Sequence, residues 1–570
     1  MGAIGSGMRP SSRFLPALLI LVGVPFLPVL DADFVNWDDD HNLIFNESWR
    51  GLGCEHLSWM FTTGHHGGYY PLAWVSFAVD HALWGMDARG YHLTNLLLHV
   101  LSSCLLYLLV LDILRRVRGR EDGTVRCAAL LSVLVFAVHP LRTESVAWIT
   151  ERRGLLAAVL WIASTLAYVK ARSPERSSNS RMRWAVGSVA LFLLSLLSKV
   201  IGITLPVVLI LLDLVVLDRR GVVRLVIEKW PWIVAAFVVG VVARSAQVEA
   251  EAVRSWTEHG LGDRCLQSAF GVCFYLWTTV FPLQLSPIYP LENAVDPSEP
   301  RFFLTFPAVI VGGVFLALKR RRWPAIAAAF LAYVLILLPI LGISQSGPQI
   351  AADRYTYLAT LPLVALGAGA LDRSLRGGKA TLVAALVAIC ILLLGAGTWR
   401  LATVWQNSIS LWEHGIARAP ESATAHLQYA QALADANRHE DAARHYQRCT
   451  QLKPTYSPGW YNLGLQLYRA GRHEEAARAW SRRLRLPPKD PRVLYCMAIA
   501  SEGLGQHDDT LVWCTRTVQA APGYAPAWLL MARVRRRRGQ LGEARRLAKR
   551  AIHADPAFSD AHEFLSDLDR

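Results

Sequence analysis

The chain has 570 residues, of which 53% are hydrophobic, and its formal net charge is +15. Its length predicts several domains, and its positive mean hydropathy of +0.28 argues against a wholly soluble protein. Membrane proteins combine apolar and charged residues by confining the charge to loops, and here the basic residues lie mostly between apolar segments. No nucleic-acid partner is therefore expected. The nine cysteines lack CxxC or His/Cys ligand spacings, which predicts neither a disulfide framework nor a zinc site.

The first apolar segment, residues 14–30, is interpreted as an uncleaved membrane span because "VLDADF" is a poor signal-peptide cleavage site. Ten more segments of about 14 to 22 residues follow, close to the length that crosses a bilayer. A further segment, 266–285, is amphipathic and ends in prolines, so we expect it to be re-entrant or to lie along an outer face. The ten later segments are 91–112, 126–139, 154–170, 184–198, 202–217, 230–245, 302–318, 324–343, 356–371 and 380–398.

Basic loops predict the orientation of these spans, because cytoplasmic loops carry an excess of Lys and Arg. A cytoplasmic N-terminus and eleven spans place every strongly basic loop inside, provided that 266–285 does not cross. An odd number of spans then places the C-terminus outside. The loops concerned are "RRVRGR" (115–120), "KARSPERSSNSRMR" (170–183), "DRRGVVR" (218–224), "KRRR" (319–322) and "DRSLRGGK" (372–379).

Four loops on the predicted outer side also carry charge, which the positive-inside rule does not explain. Ionisable residues at membrane depth are costly and usually functional, so these loops predict one site at the outer face. The loops are 31–90, "HPLRTESVAWITERR" (139–153), "SKVIG" (198–202) and "SQSGPQIAADRYTYL" (344–358).

The C-terminal third contains a repeat. Pro420, Pro454, Pro488, Pro522 and Pro556 follow one another at intervals of 34 residues, the period of the tetratricopeptide helix pair. Each proline ends the second helix of a pair. Four units are predicted from about 423 to 556, with a partial helix after them and the half-unit "SISLWEHGIARAP" before them.

Small and large residues recur where such helix pairs pack. In the second unit these positions hold Trp460, Leu463, Gly464, Ala476 and Trp480. The small position recurs at Ala498, Ala532 and Ala544. The run Arg535 to Arg538 is interpreted as a solvated helix face rather than a ligand patch.

Several motifs resemble those of a known family, in the same order along nearly the whole chain. They look like bacterial membrane proteins related to the transmembrane tetratricopeptide-repeat O-mannosyltransferases and, more distantly, like other GT-C glycosyltransferases. The apolar segments and the repeats predict an all-α fold: a transmembrane domain of about eleven spans in residues 1–400, with its outer loop at 31–90, and a tetratricopeptide-repeat solenoid in 401–570. The resemblance implies that the transmembrane domain is of the GT-C type and that its active site lies at the outer face. The motifs are "FVNWDD…N", "YYPLAWVSFAVDHALWG", "YHLTNLLLH", "HPLRTESVAWITERRGLL", "SKVIGITLPVVLILLD" and "ADRYTYL".

The resemblance also implies an acidic catalytic residue in the first outer loop. The family's acidic pair precedes an Asn, and Asn46 aligns that pair with Asp38 and Asp39 in "DFVNWDDDHNLIFN". A carboxylate can take the proton of the acceptor hydroxyl, and a second carboxylate beside it raises its pKa. Which of the two is the base stays open, and so does a hydrated loop without a catalytic role. A divalent-metal site at Asp38, Asp40 and His41 is a further alternative, but no cofactor or metal is expected.

A lipid phosphate donor requires cations for the leaving phosphate. Candidates are Arg354, Lys199, Arg152 and Arg153, although the last two could instead reach towards lipid headgroups. Glu144 could hydrogen-bond the substrate, but pairing with an arginine is favoured, and His139 is expected to form a structural hydrogen bond. Arg354 lies between Asp353 and two tyrosines, Tyr355 and Tyr357, that could orient it.

The function predicted from the resemblance is transfer of a mannose-like sugar from a polyprenyl-phosphate donor to a protein hydroxyl at the outer face. The expected location is a bacterial inner membrane, with the repeats on the periplasmic side binding a protein or peptide acceptor. Two other classes stay open: a lipid-linked polysaccharide polymerase or ligase, and a non-catalytic envelope scaffold. The sugar, lipid carrier and acceptor cannot be read from the sequence.

Reporter fusions test the predicted orientation. A reporter enzyme that is active only after export should be active when fused after Arg570 and silent when fused near Arg118, because the predicted odd number of spans separates these positions. The reverse pattern would place every candidate site loop in the cytoplasm.

Overall fold

A computed structural model describes residues 15–249, 260–291, 295–342, 347–488 and 490–570. The described chain is almost entirely helical, as predicted, and divides into two compact units after Arg418. The helix Ser408–Arg418, which the sequence assigned to the repeats as a half-unit, lies in the first unit. Residues 344–346 of the fourth candidate outer loop fall outside the described part of the chain.

The first unit contains helices of very different lengths, joined by short 3₁₀ turns and loops. A two-stranded antiparallel pairing, β1 (Tyr289–Pro290) with β2 (Gln349–Ala351), leads into the 3₁₀ turn at Asp353–Tyr355. The helices are α1 Leu15–Gly23, α2 Cys54–Thr62, α3 Pro71–Trp84, α4 Ala88–Arg118, α5 Gly123–Ala137, α6 Thr143–Ala147, α7 Arg152–Ala171, α8 Ser178–Ser198, α9 Leu205–Val215, α10 Val222–Glu228, α11 Trp230–Glu249, α12 Leu261–Val280, α13 Pro300–Lys319, α14 Pro324–Leu337, α15 Thr356–Ala359, α16 Leu361–Ser374, α17 Ala380–Val404 and α18 Ser408–Arg418.

The predicted count of eleven spans is not confirmed. Among the described residues six helices are long and apolar enough to cross a membrane, or seven if α5 and the helical segment Pro140–Ala147, bent by 59°, form one span. Three predicted spans correspond to apolar helices of only 10–17 residues, shorter than the ~20 residues that a helix needs to cross unaided. The six helices are α4, α7 with the turn before it (Ile149–Ala171), α8, α11, α13 and α17.

Local sequence determines where α4 begins and where it ends, at the start of the predicted cytoplasmic loop 115–120. Asp87 caps the start of α4 by accepting a hydrogen bond from the backbone N–H of Arg89. Gly119, with a φ of +70°, ends the helix in the left-handed conformation that glycine adopts without strain. The basic last turn lies at the negative end of the helix dipole, where cations are stabilising.

Ion pairs and hydrogen bonds join four of the five basic loops to one another. Arg116 donates to Ser173 at 2.5 Å, linking the loops at 115–120 and 170–183. Arg172 and Arg219 share Glu228 at 3.3 and 2.7 Å, which adds the loop at 218–224. The loop at 372–379 joins through Asp372, whose partner Arg118 lies 2.5 Å away. Loops predicted to share one membrane face therefore lie together.

In its described residues, 419–488 and 490–570, the second unit has four helix pairs and a final single helix, as the 34-residue period predicts. The helices of each pair lie antiparallel and the pairs stack in sequence, which is the tetratricopeptide arrangement. The helices are α19 Ala423–Asp435, α20 His439–Leu452, α21 Ser457–Arg469, α22 His473–Leu484, α23 Pro491–Gly503, α24 His507–Ala520, α25 Ala525–Arg537, α26 Leu541–Ala554 and α27 Ser559–Asp569.

The second helix pair shows why its small and large positions recur. Trp480 is fully buried, and its indole N–H donates to the carbonyl of Tyr461 at 3.1 Å. A Cβ added at Gly464 would overlap that indole, so only glycine allows α21 and α22 to approach this closely. Ala476, also fully buried, is the small residue that keeps α22 close to its neighbours.

A ring N–H to proline carbonyl bond recurs at the repeat period, which the sequence analysis missed. Six residues after the proline, a ring nitrogen on the first helix of the next unit donates to the proline carbonyl. Leu494 occupies this position after Pro488 and has no such donor. The pairs are His426–Pro420 at 3.0 Å, Trp460–Pro454 at 2.9 Å, Trp528–Pro522 at 2.9 Å and His562–Pro556 at 3.0 Å.

The run of arginines at the end of α25 is engaged within the second unit. Arg535 lies 3.4 Å from Glu543, Arg538 lies 2.8 Å from Asp508, and Arg537 pairs with Glu502. Because neighbouring helices supply these carboxylates, the run serves as a paired and solvated helix end.

Candidate functional site

Asp39 anchors the acidic segment to the turn that precedes α7. Its carboxylate is buried and accepts hydrogen bonds from the backbone N–H of Val35 at 3.1 Å and from the backbone N–H and hydroxyl of Thr150 at 3.0 and 2.6 Å. Burial raises the pKa of Asp39 to about 7, and the three donors oppose that rise. The carboxylate of Asp39 is therefore occupied in fixing the loop.

Asp38, the adjacent residue, is exposed. Among the described residues its carboxylate has no hydrogen-bond or ion-pair partner. Desolvation by surrounding protein raises the pKa of Asp38, and the charges of Arg153 and Arg354 oppose the rise. Exposure combined with desolvation describes a carboxylate recessed in an open cleft, where a substrate hydroxyl can reach it.

Five charged side chains form a network beside Asp38, here called the charge cluster: Arg153, Lys199, Arg354, Glu144 and Glu151. Glu144 pairs with the guanidinium of Arg354 and accepts its backbone N–H at 2.7 Å. Lys199 pairs with Glu151. Arg153 and Arg354 lie 3.6 and 4.0 Å from the other oxygen of Glu151. The cluster therefore combines charged residues from three of the four predicted outer loops, 139–153, 198–202 and 344–358. It lies beside the acidic segment of the fourth loop, 31–90.

The charge cluster has three cations and two carboxylates, so one positive charge is in excess. Burial lowers the pKa of Lys199 to about 8 despite the neighbouring carboxylate of Glu151. Within the described structure, Arg153 Nε and Glu151 Oε2 are buried and lie 3.6 Å apart, so they form an ion pair with each other without a hydrogen bond. The excess positive charge marks the cluster as a site for an anionic group.

A further buried carboxyl, Asp353, lies next to the cluster. Burial and the neighbouring carboxylate of Glu144 raise the pKa of Asp353 well above its ordinary range. The hydroxyl of Tyr289 on β1 lies 2.8 Å from its carboxyl oxygen, which fixes the turn carrying Arg354.

Aromatic rings hold the arginines of the cluster. The guanidinium carbons of Arg354 and Arg153 lie 5.1 and 5.8 Å from the ring centre of Trp148. Tyr355 faces both Arg354, at 4.9 Å, and Lys199, at 6.0 Å. These distances fit cation–π contacts, which orient a cation without neutralising it.

The structure places Arg152 outside the charge cluster. Its fully buried guanidinium pairs with Asp80 and donates to Asn95 at 2.7 Å and to the carbonyl of Tyr91 at 2.6 Å. Removing either member of such a buried pair leaves an uncompensated charge, so Arg152 has a structural role in joining α3, α4 and α7. Its neighbour Arg153 points to the cluster instead.

Two of the predicted supporting residues also lie in packed surroundings. Tyr357 is buried, and its hydroxyl lies 2.7 Å from His99 Nδ1. His139 accepts from the backbone N–H of Leu141 at 3.2 Å and donates to the carbonyl of Thr279 at 3.1 Å. Both side chains have partners in the protein and do not face Asp38.

Helix α18 braces the acidic segment from its other side. The indole of Trp412 donates to the side chain of Asn36 at 2.7 Å, and Ser408 accepts the backbone N–H of Asn36 at 2.9 Å. Trp37 packs edge-on against Trp412 and stacks on Trp148 at 6.2 Å. The two residues before Asp38 are thus fixed by the helix that precedes the repeats.

Asp38, Asp40 and His41 are the residues of the alternative metal site. In the described ranges, no group of three or more His, Cys, Asp or Glu side chains has the arrangement to hold a metal ion. Asp40 instead accepts a hydrogen bond from the backbone N–H of His41 at 2.8 Å.

Sequence reasoning missed four residues that shape the site: Glu151, Trp148, Thr150 and Asp80. Glu151 directly precedes the two arginines in "WITERR", which was a usable signal for an internal counter-charge. No local pattern marked Thr150 or Asp80, because their partners are 111 and 72 residues away in the chain.

Comparisons with known proteins agree with this architecture. Residues 405–457 and 459–525 match a family model described as "Tetratricopeptide repeat". Human "Protein O-mannosyl-transferase TMTC4" is 31% identical over 218 residues, which cover 36% of this chain and 29% of that protein. "Protein O-mannosyl-transferase F38B6.6" of Caenorhabditis elegans is 24% identical over 491 residues, covering 79% of this chain and 64% of that protein.

Human "Protein O-mannosyl-transferase TMTC1" is 24% identical over 475 residues, covering 74% of this chain and 51% of that protein. The chain is therefore a relative of the tetratricopeptide-repeat O-mannosyltransferases, as its motifs predicted, and with its apolar helices it is a multi-pass membrane protein. The alignments to these three relatives span between 29% and 64% of their length.

The different surroundings of Asp38 and Asp39 lead to opposite effects on stability. Asp39→Asn should lower the free energy of unfolding by about 1–3 kcal/mol, because an amide cannot accept all three donors and one is left buried and unpaired. Asp38→Asn is the matched control and should leave the melting temperature of the purified full chain unchanged or higher. An equal loss of stability in both variants would contradict the assignment of Asp39 as the anchor.

Proposed function

We propose that the chain is a membrane glycosyltransferase that moves a mannose-like sugar from a polyprenyl-phosphate donor to a hydroxyl group of a protein. Its relatives carry the name of protein O-mannosyl-transferases, and the repeats offer a surface of the kind that binds extended peptides. The observation that carries the proposal is the unpaired, accessible carboxylate of Asp38 beside a cluster of cations.

Asp38 acts as the general base in this proposal. Its carboxylate takes the proton of the acceptor hydroxyl while that oxygen attacks the anomeric carbon of the sugar. The bond from the anomeric carbon to the phosphate oxygen breaks, and its electron pair leaves with the lipid phosphate. Asp39 and Thr150 position the base and take no part in the proton transfer.

Arg153, Lys199 and Arg354 stabilise the leaving phosphate. The phosphodiester of a polyprenyl-phosphate sugar carries one negative charge, which matches the one excess positive charge of the cluster. Negative charge grows on the phosphate oxygen as the bond breaks, so fixed cations stabilise the transition state more than the bound donor. Glu144 and Glu151 hold the cations in place, and Tyr355 orients two of them.

The proposed site lies at the outer face of the membrane, the periplasmic face of a bacterial inner membrane. Two independent groupings support this. The basic loops predicted to be cytoplasmic are joined by ion pairs, and the charged loops predicted to be outside meet at Asp38. The acceptor is a protein or peptide, which the repeats bind before transfer.

Loss of the base tests the proposal directly. Asp38→Asn should reduce turnover by about two to four orders of magnitude, because the amide cannot take the proton from the acceptor. The assay measures sugar transfer from a synthetic polyprenyl-phosphate mannose to a peptide, with the full chain in detergent. Asp40→Asn is the matched control and should retain most activity, since Asp40 contacts the adjacent backbone of His41. Undiminished turnover in Asp38→Asn would overturn the assignment.

The pH profile tests the role of Lys199. Turnover requires an ionised Asp38 and a protonated Lys199, so activity falls as the pH drops through the raised pKa of Asp38. It also falls as the pH rises through about 8, where Lys199 loses its proton. Lys199→Arg keeps the charge at high pH, so it should move the alkaline limb of kcat/KM upwards and leave the acid limb in place. An unchanged alkaline limb would remove Lys199 from the donor site.

A further inference from the structure

A second polar cavity lies where three of the basic loops meet. It has a volume of about 700 Å³ and is lined by the last turn of α4, the loop after α7, the start of α8 and the end of α9. Four arginines line it and no carboxylate does. They are Arg116, Arg172, Arg181 and Arg219.

This cavity is distant from Asp38 and the charge cluster. Helix α7 begins at Arg152 and Arg153, beside the cluster, and ends at Ala171, which lines the cavity. Its 20 residues span about 30 Å, the thickness of the hydrocarbon core of a bilayer. The cavity therefore opens at the opposite membrane face from the charge cluster.

The positive charge around the cavity exceeds what nearby carboxylates neutralise. In the described structure, six cations of these loops share the three carboxylates Asp112, Asp213 and Glu228. Arg181 pairs with no carboxylate, and Arg172 Nε is buried without a hydrogen-bond partner. Two exposed carboxylates on the same loops, Glu175 and Asp218, do not line the cavity, although the charge of Glu175 acts on Arg116 and Arg115. Cations still outnumber carboxylates on these loops when both are included. The six cations are Arg115, Arg116, Arg172, Arg219, Arg224 and Lys229.

Apart from Ser178, the rest of the lining is apolar. Met182 and Ala185 of α8 and Val216 and Leu217 after α9 lie beside the arginines, and Met182 is 65% exposed. A cavity lined by both guanidinium groups and aliphatic side chains fits a ligand that combines a phosphate with hydrocarbon. Arginine suits the phosphate, because its planar fork of donors matches phosphate oxygens.

We propose that this cavity binds the headgroup phosphate of an anionic phospholipid from the leaflet opposite the charge cluster. The ends of membrane-spanning helices lie at the level of the headgroups, where an anionic phospholipid offers both parts of the ligand. The bound lipid neutralises the excess arginine charge and links the ends of α4, α7, α8 and α9. This proposal is independent of the catalytic one.

Binding of a defined lipid to the purified full chain tests the proposal. Phosphatidylglycerol should bind more tightly than phosphatidylcholine with the same acyl chains, measured by native mass spectrometry and by the shift in melting temperature. Arg181→Gln should weaken phosphatidylglycerol binding about fivefold, the effect expected for one basic residue at an anionic surface. Because Arg181 is exposed and pairs with no described carboxylate, the lipid-free melting temperature should not change.

Arg183→Gln is the matched control. Arg183 is an exposed arginine two residues further along α8, outside the lining, and its loss should leave lipid binding unchanged. Equal binding of the two lipids, or equal losses in the two variants, would overturn the proposal. Inorganic phosphate lacks acyl chains and should not displace the lipid at millimolar concentration. Displacement of the lipid by inorganic phosphate would overturn the lipid assignment and would indicate that the cavity binds a soluble phosphate.

Discussion

The hydrogen bonds between Asp39 and Thr150 are the constraint on which the site depends. They join residues 111 positions apart and fix the acidic loop to the turn that begins α7. That turn also carries Glu151 and Arg153, so one attachment sets the distance between the exposed carboxylate of Asp38 and the cations around it. The buried side chains of Val35 and Trp37 pack the loop against the protein, and the hydrogen bonds of Asp39 fix its position within that packing. Trp412 and Ser408 of α18 complete the fixation by holding Asn36.

The site contains two pairs of identical residues that are consecutive in sequence, Asp38–Asp39 and Arg152–Arg153, and the two members of each pair have different roles. In each pair one member is buried and bound by the protein, and the other faces the site. Asp39 is buried and bound by Thr150, and Arg152 is buried and paired with Asp80. Their neighbours Asp38 and Arg153 lie close enough for the positive charge of Arg153 to act on the carboxylate of Asp38. The buried member orients its neighbour, because successive residues in a turn or helix start point in different directions.

The sequence predicted the repeat unit best. The 34-residue period predicts the number of helix pairs, the positions at which they pack and the prolines that end them. All four predicted pairs are present. The membrane-embedded unit was predicted as an all-helical domain, but its span count was not confirmed, because hydropathy does not show whether an apolar stretch of 10–17 residues crosses or is buried by neighbours. Charged outer loops predicted which segments meet. They could not distinguish Asp38 from Asp39 or Arg153 from Arg152, since that choice depends on partners distant in sequence, such as Thr150 and Asp80.

The position of α18 determines where the repeats can be exchanged in an engineered chimera. This helix lies wholly within the stretch that matches the repeat family, yet it packs against the acidic segment of the first unit, so the boundary between the two units falls after Arg418 rather than at the end of α17. An exchange of repeat arrays between homologues at Arg418 would leave the bracing of Asn36 and Trp37 intact. A chimera joined at the end of α17 would remove Trp412 and leave the acidic segment without its support.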